Sequence, residues 1–220
     1  MSEFTGLHED MYRFFWELAF QNHESFYREN LPRYEREVKK PLYTLAEALV
    51  PTGLKMDPNF NTRISTMVSR LRRDTRYSHD LAPFRDHAWI SFRYPGHAVS
   101  MSFAPYIEFN REDYGYGMGM YAPDTERMQD IRNRILGDPE RFLELFHEPR
   151  FEKTFQVDGA AYKKPKFTHE NPEIARFLNQ RQLLFYYTSK DLKRTVQPQI
   201  LDECREALEI MTPMYQFLMR

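Results

Sequence analysis

Cysteine is nearly missing: Cys204 is the single one in 220 residues. One thiol permits no internal disulfide framework and no multi-cysteine zinc site, and it suits a reducing cytosol. Net charge is equally scarce. Lys and Arg number 31 against 32 Asp and Glu, so no global field draws in nucleic acid or an anionic membrane. The chain has no apolar run long enough to span a bilayer and no basic-then-apolar targeting signal at its start. It also lacks repeats, low-complexity stretches and Gly/Ser/Pro-rich linkers, which predicts a single domain over residues 1–220. The expectation is a cytoplasmic, soluble protein with no membrane partner, no nucleic-acid partner and no cofactor.

Motif absences narrow the chemistry further. Gly117 and Gly119 invite a nucleotide-loop reading, but no GxGxxG or GxxxxGK[ST] follows them. They alternate with Tyr116, Met118 and Met120 as strand residues do. Such spacing leaves one sheet face bare, for a helix or, less commonly, a ligand to approach the backbone. His79, His87 and His97 lie near Asp80 and Asp86, yet there is no HExxH and no standard ligand spacing, so no metal site is assigned. Ser78 lacks a Gly-x-Ser-x-Gly setting, and Cys204 falls on an apolar helical stripe where inert thiols belong. Glu112 and Asp113 read as a solvated turn.

What the chain does have is rings: 18 Phe, 14 Tyr and 2 Trp, 15% of the residues. They imply an aromatic core with some Tyr lining a groove. Met11, Phe14, Phe15 and Leu18 recur at helical spacing, and Asn22 is placed to cap a short helix carrying Phe26 and Tyr27. A second stripe runs from Leu31 to Leu49, with a kink or restart expected at Pro41. Residues 51–66 read as turns. Alternation from Ile90 to Tyr94, from Val99 to Phe109 and from Tyr116 to Met120 predicts consecutive antiparallel strands, with a bulge or edge position at Pro105. Helices follow at Asp124–Gly137, from Asp138-Pro139 and from Asn171-Pro172. Strands are expected over Phe151–Val157 and Leu183–Tyr187, then a long helix over Pro198–Met219. The fold class is α+β: an antiparallel sheet of four to six strands packed against N- and C-terminal helices, covered mainly on one face.

The strongest local anomaly is Val68 to Arg85. It gathers Arg70, Arg72, Arg73, Arg76 and Arg85 against Asp74 and Asp80, with Tyr77, Ser78 and Phe84 among them. Guanidinium forks match carboxylate or phosphate, so several together can hold an anion. Two readings stand side by side. In one, Arg73, Arg76 and Arg85 hold a small anionic ligand, Asp74 and Asp80 orient them, Ser78 adds a hydroxyl, and Tyr106 and Tyr121 wall the site. In the other, the segment is an internal brace of a protein-interaction module. Glu108, on the polar side of its strand, is the one carboxylate outside this segment that draws notice.

The same segment resembles the hallmark of the family called domain of unknown function 2461, approximately Arg-Asp-x-Arg-Phe-Ser-x-Asp-Lys-x-Pro-Tyr-Lys. Arg73, Asp74, Arg76, Ser78, Asp80 and Pro83 match it, with Tyr77, Phe84 and Arg85 as similar replacements. Leu81 departs from the family's Lys, so no amine stands there. Phe15, Leu18, Asn22, Phe26, Asn30 and Tyr34 resemble the family's opening pattern. Gly117, Gly119, Tyr121 and Pro123 resemble its Gly-x-Gly-x-Tyr-x-Pro strand, while Lys164-Pro165 and Asn171-Pro172 match more loosely. The resemblance implies a shared fold and a shared surface motif, and no activity to transfer.

Overall fold

The structure is a computed structural model of the chain; it describes residues 3–74, 82–96, 102–120, 122 and 125–219. Helix α1 (Glu9–Phe20) buries Met11, Phe14, Phe15 and Leu18, the stripe expected from spacing. Helix α2 (Glu24–Glu29) is capped by His23, whose side chain accepts from Phe26 N–H. Asn22 has a different task, described below.

From Leu31 the chain stays helical to Met56, through α3 (Leu31–Tyr34), a π-turn over Glu35–Lys39 and α4 (Lys40–Met56). The π-turn is the local answer to Pro41. A proline ring crowds the carbonyl four residues back, and a wider turn just before it makes room. The turns expected over 51–66 begin late, because α4 continues through Pro51 to Met56. Packing of α4 against the C-terminal helix outweighs the roughly 3 kcal/mol that an interior proline costs. A short α5 (Ile64–Met67) leads into the arginine segment.

The sheet holds β1 (His87–Ser91), β2 (Ala104–Asn110), β3 (Tyr114–Gly119), β4 (Gln156–Asp158) and β5 (Leu184–Ser189), in the order β1-β2-β3-β5-β4, every pair antiparallel. Pro105 sits in regular register opposite Met118 on a central strand, not at an edge or bulge. Its carbonyl accepts from Phe92 N–H, just past the end of the β1 ladder. The missing donor faces that same side, so the reciprocal bond of the Phe92–Pro105 pair cannot form, and the regular β1 ladder ends one pair earlier, at Ser91 and Tyr106.

Helices α6 (Thr125–Gly137), α7 (Pro139–Phe146), α8 (Pro149–Thr154), α9 (Pro172–Leu178) and α10 (Ile200–Met219) follow the hairpin, with β4 and β5 among them. Asp138 and Asn171 cap α7 and α9 as expected, each ahead of a proline. Phe151 belongs to α8, not a strand; only Gln156–Asp158 extends. The expected cap at Asp124 lies outside the described residues.

Side-chain parity divides the sheet. Pro105, Ile107 and Phe109 on β2, Tyr114, Tyr116 and Met118 on β3, and Phe185 on β5 share one face. There Tyr114 and Tyr116 donate to Glu203 of α10, and Phe185 meets Phe146 and Phe151. The helices thus build the aromatic core on one face, as the sequence implied. The second face carries His87, Trp89, Ser91, Tyr106, Glu108, the three glycines of β3, and Tyr186.

Candidate functional site

The arginine segment is rooted as a hairpin stem. Arg73 N–H donates to Pro83 O and Arg85 N–H to Leu71 O, both at 2.8 Å, and Arg72 bridges Phe84 in antiparallel fashion. Upstream, Ser69 exchanges bonds with Trp89: its N–H donates to Trp89 O and its hydroxyl accepts Trp89 N–H. The stem therefore runs beside the free edge of β1.

Three contacts fix the stem to the helices. The Asn22 side chain donates from Nδ2 to Phe84 O and accepts Phe84 N–H at Oδ1, each 2.9 Å. The fully buried Phe84 ring stacks on Tyr27 at 4.5 Å. Arg72 lies over the Phe84 ring at 5.0 Å and reaches both carboxylate oxygens of Glu24, at 2.6 and 2.9 Å. That bond holds the Glu24 carboxyl below its usual range.

Arg85 turns back over its own stem. Its Nη1 donates to Arg70 O at 2.9 Å and Arg72 O at 3.0 Å, and its guanidinium sits 5.1 Å from the Trp89 ring. Burial depresses its pKa, and the charge of Arg73 depresses it further. Two hallmark arginines are thus close neighbours at the root of the hairpin.

Trp89 carries the stem onto the second sheet face. His87 stacks beside it at 5.6 Å, and Glu108 stands opposite it in register. His87 Nδ1 lies 3.2 Å from Asp86 and its Nε2 3.8 Å from Glu108; Arg111 holds the other oxygen of Asp86 at 2.9 Å. The Glu108 side chain keeps a third of its surface open. Its setting in the sheet nevertheless raises its pKa: burial is the main cause, opposed by His87 and aided by Asp113. In the next row, Ser91 is buried with no partner for its hydroxyl among the described residues. Tyr106 lies across Gly117, its hydroxyl 3.0 Å from where a Cβ would stand.

Among the described residues, the nearest neighbours of that glycine column are the backbone running into and along β5 and the Tyr106 hydroxyl, not a helix. A Cβ on Gly117 would fall 2.2 Å from Phe185 O, and one on Gly115 2.2 Å from Tyr187 O. The backbone of β5 presses into the space, with Tyr106 above it.

Of the residues singled out from the sequence, Arg73, Asp74 and Arg85 are at the stem and Tyr106 on the second sheet face. Arg76, Ser78, Asp80 and Tyr121 lie outside the described residues. Sequence reasoning missed Asn22 as the clamp and Trp89 as the floor under Arg85. The alternation His87-Ala88-Trp89 is a signal that could have put both rings on one strand face, but the strand was expected only from Ile90. Among the described residues no group of three His, Cys, Asp or Glu could hold a metal, and no helix is long and apolar enough to cross a membrane.

A family model described as Conserved hypothetical protein (DUF2461) matches residues 10–217. No curated protein matches the chain.

Proposed function

The chain belongs to the DUF2461 family of conserved hypothetical proteins, and from that premise we propose that it binds a small phosphate- or carboxylate-bearing anion at the root of its arginine hairpin. The observation that carries this reading is Arg85. Among the described residues its partners are two backbone carbonyls and an indole face, with no carboxylate, and Arg73 adds a like charge nearby. A partly buried cation beside another cation is unfavourable on both counts, and a bound anion relieves both. Both carbonyl bonds come from Nη1, and among the described residues Nε and Nη2 make no hydrogen bond, which leaves them to form a fork on a ligand. Asp74, Arg76, Ser78 and Asp80 complete the site in this proposal, with Tyr106 and Tyr121 as its walls.

Thermal-shift titration with inorganic phosphate, sulfate and succinate tests it, supported by phosphorus NMR line broadening. Phosphate should raise the melting temperature of the wild type, with Arg73→Met and Arg85→Met removing the effect and Arg85→Lys keeping part of it. Absence of any shift across that set sinks the reading, as does an unchanged shift in a folded Arg73→Met/Arg85→Met double variant.

A second reading draws on the same stem bonds, which also suit a brace, and on Phe20. That ring is 81% exposed and stacks on Trp16 at 6.0 Å. Here the aromatic pair on α1 is a contact for another protein. Phe20→Ser would then abolish co-purification of a partner. A monodisperse monomer by light scattering, with no partner recovered, counts against it.

A further inference from the structure

We propose that the ligand of the hairpin root is dipolar: a small ω-amino phosphate or ω-amino carboxylate whose ammonium group is held by Glu108 on the second sheet face. This rests on the anion reading above and assigns the other half of the ligand. It starts from two opposite charges on either side of Trp89, Arg85 and Glu108, each poorly compensated among the described residues.

Trp89 and Glu108 are register partners on β1 and β2, so both side chains leave the same face. The stem lies along the other edge of β1, where Ser69 bonds to Trp89. Arg85 is tied to that side by the Arg70 and Arg72 carbonyls while its guanidinium rests against the Trp89 ring. One strand therefore separates the two charges. At about 4.8 Å between neighbouring strands, the stem and β2 lie roughly 10 Å apart, and Arg85 and Glu108 do not pair with each other.

Glu108 makes no hydrogen bond among the described residues. The one basic group there within 4 Å is His87, whose Nε2 at 3.8 Å is beyond hydrogen-bond reach. The other nearby charges do not help. Asp86 takes the opposite nitrogen of His87 and also holds Arg111, and Asp113 adds a like charge to Glu108. Burial further disfavours the ionised carboxyl, and an ammonium beside it would reverse that balance.

The surroundings suit such a group. Trp89 stands across from Glu108, and Tyr106 stands two residues before it on the same face, so rings flank the carboxyl. Aromatic faces attract ammonium groups. Opposite Glu108 on β3 is Gly115, so no β3 side chain closes that flank. Arg85, Trp89, Tyr106 and Glu108 all keep part of their surface open. With contacts of about 3 Å at each end, a span of roughly 10 Å leaves about 4 Å between the acid group and the amine. A short alkyl spacer fills that gap.

Isothermal titration calorimetry near neutral pH tests this with O-phosphoethanolamine, ethyl phosphate (the head without the amine) and ethanolamine (the amine without the head). A second pair, 4-aminobutyrate and butyrate, repeats the comparison for a carboxylate head. In at least one pair the amino compound should bind about tenfold or more tightly than its amine-free counterpart, with ethanolamine alone the weakest. Glu108→Gln, which keeps the shape of the side chain, should erase that preference and leave ethyl phosphate at or above its wild-type affinity. Arg85→Met should weaken both members of the pair. Binding of ethyl phosphate or butyrate with no preference for the amino compound overturns the dipolar ligand and leaves the anion site in place. A preference that survives in a folded Glu108→Gln protein also overturns it, since the ammonium would then be held elsewhere. If none of the anions binds, the anion reading fails as well.

Discussion

Asn22 spans 62 positions of chain to hold both backbone groups of Phe84 with one side-chain amide. Removing the amide leaves a half-buried carbonyl and N–H unmatched, and an orphaned group costs about 1–3 kcal/mol. Asn22→Ala should therefore destabilise by roughly 2–6 kcal/mol in urea unfolding, taking the two losses together. Asn22→Asp should fall between, since it can still accept Phe84 N–H but cannot donate to Phe84 O. An Asn22→Ala midpoint equal to wild type would refute the clamp. Reading Asn22 as a helix cap recognised its chemistry and missed its target. Capping and clamping draw on the same donor and acceptor, and only tertiary structure brings Phe84 within reach. Arg85 and Glu108 were legible in a similar degree: the sequence marked them as unusual. It could not show that Trp89 lies under one, or that burial in the sheet raises the pKa of the other.

The elements that the sequence marks most clearly are those with a long apolar period. Helices α1 and α10 and strands β2 and β3 fall close to where spacing puts them, because one buried face repeats over many residues, whereas β1 is His87–Ser91 rather than the expected Ile90–Tyr94. The failures cluster where packing overrides local preference: α4 passes through Pro51, and Phe151 is helical. The neighbour order of β5 and β4 had no local signal at all. Glycine in β3 was visible, and its reason was not. Since a Cβ at Gly117 meets the Phe185 carbonyl at 2.2 Å, Gly117→Ala must spread β3 from β5 or tilt the strand. A loss of about 2 kcal/mol or more is expected, the scale of an overpacked core site. Gly137 is the control. It ends α6 with nothing within 4 Å of its Cβ position, so Gly137→Ala should be neutral or stabilise by up to about 1 kcal/mol. Equal behaviour of the two variants in thermal unfolding would refute the close approach of β5.

Across the whole molecule the charges nearly cancel, so the dependence of stability on pH should come from a few local groups rather than from net repulsion. Asp10, hydrogen-bonded by Arg33, has a lowered pKa. Its contribution is present above the unfolded aspartate value, about 3.9, and fades as pH falls through the lower folded one. His147 bridges Glu152 on α8 and Glu173 on α9, at 3.0 and 2.9 Å, and these bonds raise its pKa. Its contribution is full below the unfolded value of about 6.5 and is lost as pH rises through the folded value. Glu108 is raised by burial, so its ionisation also works against the fold as pH rises, beginning from the unfolded value near 4.3. The last two groups share a sign and can still be told apart. Glutamine mimics a protonated Glu108, so Glu108→Gln should match wild type at pH 4.5 and exceed it at pH 8. Glutamine at 147 lacks the imidazolium, so His147→Gln should fall below wild type at pH 5.5, by no more than about 1 kcal/mol for so exposed a pair, and match it at pH 9. Melting curves of both variants over that range check the assignment. A Glu108→Gln protein no more stable than wild type at pH 8 would mean that the carboxyl is not sunk in the sheet face. A His147→Gln deficit that persists at pH 9 would point to lost packing between α8 and α9 rather than to charge.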